Sequence, residues 1–389
     1  MICASACGRE RSEAASGHAE APAAAPRVDA SELIVKLECN RCHEVAAVAP
    51  APRDKHCVAC HQEIHAGTYE RGDVETQQRW RTHITSMRFA PSLANADRLR
   101  RSWVREFLLA PHDVRPGLVA QMPRLAIVRA DAERLAAHLA PDTADDPPPA
   151  MRDVERGELL YRGLACGRCH RFTGATVDDA ALHVAGRAAT QALQSWELAP
   201  DLRHARVRMT TASLAEWIAA PRGAMPMLGV APADARALAA FIAGTSLVAP
   251  APRVAPQRLP VLEREVTWDE VEAKVFRKVC WHCHATPELA RGDGGPGNSG
   301  GFGFSPRGLD LSSYAGISAG SLDDAGERRS VFAKLADGTP RIVAHLYARY
   351  VEDAGSVVDG VRGMPLGLPP MSLEAIQLVE TWIAQGRPR

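Results

Sequence analysis

Residues 38–65 read ECNRCHEVAAVAPAPRDKHCVACHQEIH: two Cys-x-x-Cys pairs, each followed at once by histidine, with fourteen residues between Cys42 and Cys57. The same pentapeptide returns as CGRCH at 166–170 and as CWHCH at 280–284. Eight of the ten cysteines thus belong to four copies of one motif: Cys39 and Cys42 with His43, Cys57 and Cys60 with His61, Cys166 and Cys169 with His170, Cys280 and Cys283 with His284. The intervening pairs are Asn40-Arg41, Val58-Ala59, Gly167-Arg168 and Trp281-His282. They vary freely, so what is held constant is two thiols and an imidazole in fixed register.

Two thiols spaced to reach two vinyl groups, with a histidine directly after them to meet the iron, form the attachment signature of c-type heme. Four heme c groups are the expectation. A thioredoxin-like redox pair would need a βαβ setting and has no use for the histidine. Zinc knuckles fit the spacing of the first two motifs. The third and fourth motifs have no partner pair within their own stretches, however, and every pair keeps its histidine.

Proline-rich breaks at PDTADDPPPA (141–150) and VAPAPRVAPQRLP (248–260) divide the chain. The expected organisation is a tail over 1–29, a unit with two motifs over 30–142, a linker over 143–150, a unit with one motif over 151–247, a linker over 248–262 and a third unit over 263–389. An internal repeat joins the first two units. APSLANADRLRRSWVREFLLAP (90–111) and MPRLAIVRADAERLAAHLA (122–140) answer to APDLRHARVRMTTASLAEWIAAP (199–221) and MPMLGVAPADARALAAFIA (225–243). The third unit ends in MPLGLPPMSLEAIQLVETWIAQG (364–386), again Met-Pro before a closing helix. Strand patterns are sparse, and 31–41, 98–110, 130–139, 154–166, 213–219, 233–243, 268–280 and 373–384 show helical periodicity. The fold class expected is all-α. Aromatic content of 5% is low for burying so many short helices, and a heme gives each unit a flat apolar surface to fold around.

A thioether opposite histidine is a familiar heme ligation. Met122, Met225 and Met364 occupy matching places before the three closing helices, with Met227 and Met371 as nearby rivals and His345 as a rival to Met364. His345 is expected on a helix surface, and Trp103, Trp217 and Trp382 in the core. The second motif is inserted ahead of the Met122 loop and has no Met-Pro loop of its own. His83 is its first candidate for the sixth ligand, followed by Met87, four residues on along a helix over 75–88, and by His65.

In these features the first two units resemble class I cytochrome c domains, with the heme motif after an N-terminal helix and the methionine before a C-terminal one. The third unit, with CWHCH, GLDLSSYAGISAG (308–320) and its Met-Pro loop, is similar to the cytochrome c modules common in planctomycete-type and related bacterial proteins. The resemblance implies tandem cytochrome c-like domains, the first with an inserted second heme motif. It also implies ligation by His43 with Met122, His170 with Met225, and His284 with Met364.

The 46 basic and 46 acidic residues leave no net charge, which argues against nucleic acid or an anionic membrane reached by bulk electrostatics. Only five of the basic residues are lysine, so a docking face would use arginine. Heme attachment of this type is expected outside the cytoplasm, in the periplasm or on the outer side of the envelope. Ala4-Ser5-Ala6 before Cys7-Gly8 resembles the end of a bacterial lipoprotein signal, which would place a lipid anchor on Cys7; an ordinary Ala/Ser/Pro tail is the alternative. GPGNSG (295–300) reads as a loop, since it follows no strand and opens no helix. The functional expectation is electron transfer between redox proteins or within a respiratory complex. The alternatives are a multiheme peroxidase or small-molecule reductase using an open second heme, or a cytochrome subunit of a dehydrogenase or oxidase.

Overall fold

The computed structural model describes residues 29–53, 56–70, 72–84, 86–125, 127–140, 146–175, 199–222, 225–285, 308–323 and 325–389. The tail with Cys7 and the 295–300 loop lie outside these residues. Helices dominate the described chain, and its strands are one antiparallel pair of two residues each, Ser321–Leu322 with Arg328–Arg329, besides isolated bridges. Several helix starts are capped by short polar side chains, which supply acceptors to otherwise unpaired amides. Thr210 accepts from Ser213, Ser372 from Ala375 and Asp73 from Thr76.

Three apolar cores form. The first is built on Leu33, Ile34, Val104, Leu108, Leu135 and Ala136, and Cys39, Trp103 and Met122 pack on it. The second gathers Tyr161, Leu214, Ile218, Leu238 and Phe241, with Cys166 and Trp217 against them. The third surrounds the fully buried Trp382 and Phe276, with Cys280, Trp281, Met364 and Met371 at its edge. Residues Ile64, Tyr69, Trp80 and Ile84 make a small separate core beside Cys60. The inserted segment therefore has its own apolar centre.

In the second core the helix Met151–Gly163 crosses the closing helix Pro232–Gly244 at backbone contact. A β-carbon on Gly157 would fall 2.0 Å from the carbonyl oxygen of Ala237, so only glycine lets the two helices approach this closely.

The first and second units join along a short seam. Leu99 bridges Met209, and the amide of Arg100 donates to the carbonyl of Arg208 at 2.7 Å. Arg98 stands over Trp217 and Arg208 over Trp103, at 5.4 and 4.9 Å from the ring centroids. Asp146, next to the first proline run, accepts from Arg100 and from the amide of Thr211.

The first and third units meet through a buried polar network. Arg349, 4% exposed, donates to the carbonyls of Leu368 and Ala120 at 2.7 and 2.9 Å, while Glu352 accepts from Arg124 and from the amide of Gly363. The stretch before the third unit also lies along it, since Tyr347 donates to Pro256 and Arg258 pairs with Glu380.

Two expectations need correction. The helix proposed over 75–88 is Val74–His83; Ile84 turns extended and Met87 takes a left-handed φ of 55°. Met87 therefore shares no helical face with His83. His345 is turned inward from the helix Arg341–Asp353: its Nδ1–H donates to the Arg362 carbonyl at 2.8 Å, and burial holds its pKa below the ordinary imidazole value.

Candidate functional site

The four motifs adopt two local geometries. In the first and third, a left-handed residue, Glu38 or Ala165, leads into a single 3-10 turn, Cys39–Arg41 or Cys166–Arg168. The histidine amide then donates back to the first cysteine, at 2.9 Å for His43 and 3.0 Å for His170. The second motif opens the helix Cys57–Ala66, which His56 caps by accepting from the Ala59 amide. The fourth begins at the last residue of a π-helical run, Glu272–Cys280, and continues through the single turn Trp281–His284. A π-helical run this long is rare, and such segments concentrate at functional sites.

All four motif histidine rings are hydrogen bonded to a backbone group. The Nδ1–H of His43 donates to the carbonyl of Pro91 at 2.8 Å, that of His61 to Ser86 at 3.0 Å, and that of His170 to Pro200 at 2.8 Å. His284 is hydrogen bonded to the backbone of Leu309. For the three rings with a defined Nδ1 bond, the tautomer follows, because a carbonyl only accepts: the proton sits on Nδ1 and the Nε2 lone pair is left for a metal, the outer-shell pattern of ligating histidines. Burial also pulls all four pKa values down, which keeps the rings neutral.

All but one of the thiols with a shifted pKa move away from the thiolate; Cys57 is the exception, held down first by its hydrogen bond with Cys42. Burial pushes Cys39 and Cys60 up to about 11 and Cys280 and Cys283 up to about 12, and it also raises Cys166. A reactive or metal-binding thiolate needs a depressed pKa, whereas a neutral thioether tolerates such burial. Among the described residues, no three His, Cys, Asp or Glu side chains converge as a metal cage would require.

The candidate methionines lie differently. Met122 packs on the core that holds Cys39, and Met364 on the core that holds Cys280 and Trp281, its amide donating to the His345 carbonyl at 2.8 Å. Met225 is half-buried, whereas its rival Met227 is 66% exposed. Met371 shares the third core with Met364. For the second motif, the side chain of His83 lies outside the described part of the structure. His65 donates from Nε2 to the Ile84 carbonyl at 2.7 Å, which occupies that nitrogen. Met87 is buried with its methyl group at Gly367, and its amide donates to Gln121.

Three of the motifs come together. The Cys42 thiol is hydrogen bonded to that of Cys57, and this bond together with burial holds Cys42 protonated. Buried Arg41, paired with Glu38 at 2.8 Å, acts electrostatically on Cys42, Cys57 and Cys283. The ring of His282, inside the fourth motif, lies beside that of His61, with centroids 6.3 Å apart and planes tilted by 41°. Neither Arg41 nor His282 stands out in the sequence, because both fill positions where the motif tolerates any residue. The third motif lies in the second unit, across the Leu99–Met209 seam.

Comparison with protein families, with curated proteins and with solved structures returned no match to this chain.

Proposed function

We propose that the chain is an extracytoplasmic electron carrier that binds four c-type hemes. What supports this is the combination, repeated four times, of two thiols in Cys-x-x-Cys register with a neutral histidine whose ring is held by a backbone hydrogen bond. The residues present fit the group. Each cysteine pair would take up the two vinyl side chains as thioethers, and His43, His61, His170 and His284 would each face an iron. Met122, Met225 and Met364 would supply the opposite ligand in three of the four sites. A bound heme contributes an iron that alternates between ferric and ferrous states at a potential tuned by ligands, burial and nearby charge.

The chain's own part is orientation and exclusion of water. Pro91, Ser86, Pro200 and Leu309 fix the imidazoles from behind, and the apolar cores offer cysteine-lined edges for the porphyrin faces. Gathering three attachment sites around Arg41 suits an internal relay, with a redox protein or respiratory complex as partner. The test is to replace each cysteine pair in turn by alanine, Cys166→Ala with Cys169→Ala for example, and to measure covalent heme. Each double variant should lose one heme of four. A pair whose removal leaves the heme content unchanged would contradict the proposal for that motif.

A further inference from the structure

His282 lies at a position where Cys-x-x-Cys-His motifs accept any residue, yet its ring centroid is 6.3 Å from that of His61 in another motif, with the planes 41° apart. An iron held between two opposed imidazoles, each nitrogen about 2 Å from the metal, sets the ring centres about 6 to 6.5 Å apart. We propose that His282 is the second axial ligand of the heme carried by Cys57, Cys60 and His61. The assignment rests on the heme reading above and names the ligand that the sequence left open.

Several observations agree. His61 is tied through Nδ1 to Ser86, which leaves Nε2 as the nitrogen for iron. His282 and His284 are two residues apart on one helical turn, hence about 200° apart around its axis. One imidazole can then serve its own heme while the other reaches the neighbouring motif. Cys57 acts electrostatically on Cys283, so the attachment edges of the two motifs adjoin. Met87 follows Ser86, whose carbonyl lies behind the His61 ring, and places its methyl group at Gly367. His65 has Nε2 engaged with Ile84. The ligand of a heme attached in the first unit thus comes from the third, and the bond would clasp the two units together. Two imidazoles also place this heme at a lower potential than its His/Met neighbours.

The experiment uses the matured full chain and its His282→Ala, His282→Met and His83→Ala variants. Each is examined by electron paramagnetic resonance and near-infrared magnetic circular dichroism, with covalent heme counted on the same samples. The wild type should show one bis-imidazole heme among four. His282→Ala should keep four hemes, lose that signature, bind carbon monoxide at one site and regain the signature when imidazole is added. His282→Met should convert the site to His/Met and raise one transition only. A bis-imidazole signature that survives in His282→Ala, or that disappears in His83→Ala, overturns the assignment while leaving the heme reading intact. A wild-type chain without covalent heme overturns both.

Discussion

Leu99 and Met209 face each other across an antiparallel bridge and occupy equivalent places in the two sequence repeats. Each stands just before the residue that caps its helix, Arg101–Leu109 or Thr211–Ala219. Equivalent residues paired antiparallel imply a local twofold relation between the first and second units. The equivalent arginines Arg98 and Arg208 each cross the seam to stack on a tryptophan of the other unit, Trp217 and Trp103, although these two rings sit at different positions along their helices.

The seam should therefore weaken when one of these cations is removed. Burial, followed by the charge of Arg98, brings the Arg208 pKa down to about 10, and its attraction to the Trp103 face offsets that cost. Arg208→Ala should lower stability by about 1–2 kcal/mol, the range of a partly desolvated cation–π contact, without changing heme content. Chemical denaturation of the matured protein measures this; an unchanged midpoint would show that the stacking contributes nothing.

The same seam carries a pH dependence. His204 lies 5.6 Å from His112, ring to ring. Burial, then His112, Arg203 and Arg208, outweigh the opposing Asp201 and bring its pKa from 6.5 to about 4. Between those values the unfolded chain binds the proton and the folded chain does not, so stability should decline as pH falls from about 6.5 to about 4 and level off below. Melting temperatures across that range, compared with His204→Asn, measure the effect. A variant that keeps the full decline would assign it to other groups.

Gly157→Ala should destabilise the second unit by about 3 kcal/mol, at the upper end of overpacking costs, because the new methyl group would meet the Ala237 carbonyl. Hydrogen exchange should show the loss confined to 151–247. Exchange unchanged there would mean that the two helices can separate at little cost.

Met225→Ala should lower the potential of one heme transition and open that heme to carbon monoxide, since a thioether opposite histidine favours the ferrous state. If the redox titration is unaltered, the ligand is another group.

Much of this was legible in the sequence because it is local. The four motifs, the helical periodicities and the repeated Met-Pro loops each depend on residues within a few turns of one another. What could not be read depends on distant contacts. The fourth motif lies beside the first two in a molecule whose third unit is joined to the first through Arg349, Glu352 and Arg124. That junction gives His282 its meaning. The helix over 74–83 ends before Ser86, whose carbonyl accepts from His61, and nothing in the periodicity of ETQQRWRTHITSMRF reports a hydrogen bond to a histidine 25 residues earlier. His345 looked like a surface residue for the same reason, its partner being a loop carbonyl at Arg362.

The most direct test of the central claim is the intact mass of the chain matured in a host with a heme-attachment apparatus, read under denaturing conditions. Thioether links survive unfolding, so the mass should exceed that of the polypeptide by four hemes, with all eight motif cysteines blocked to alkylation. A chain carrying two hemes, with Cys39, Cys42, Cys57 and Cys60 still free to alkylate and zinc bound, would contradict it.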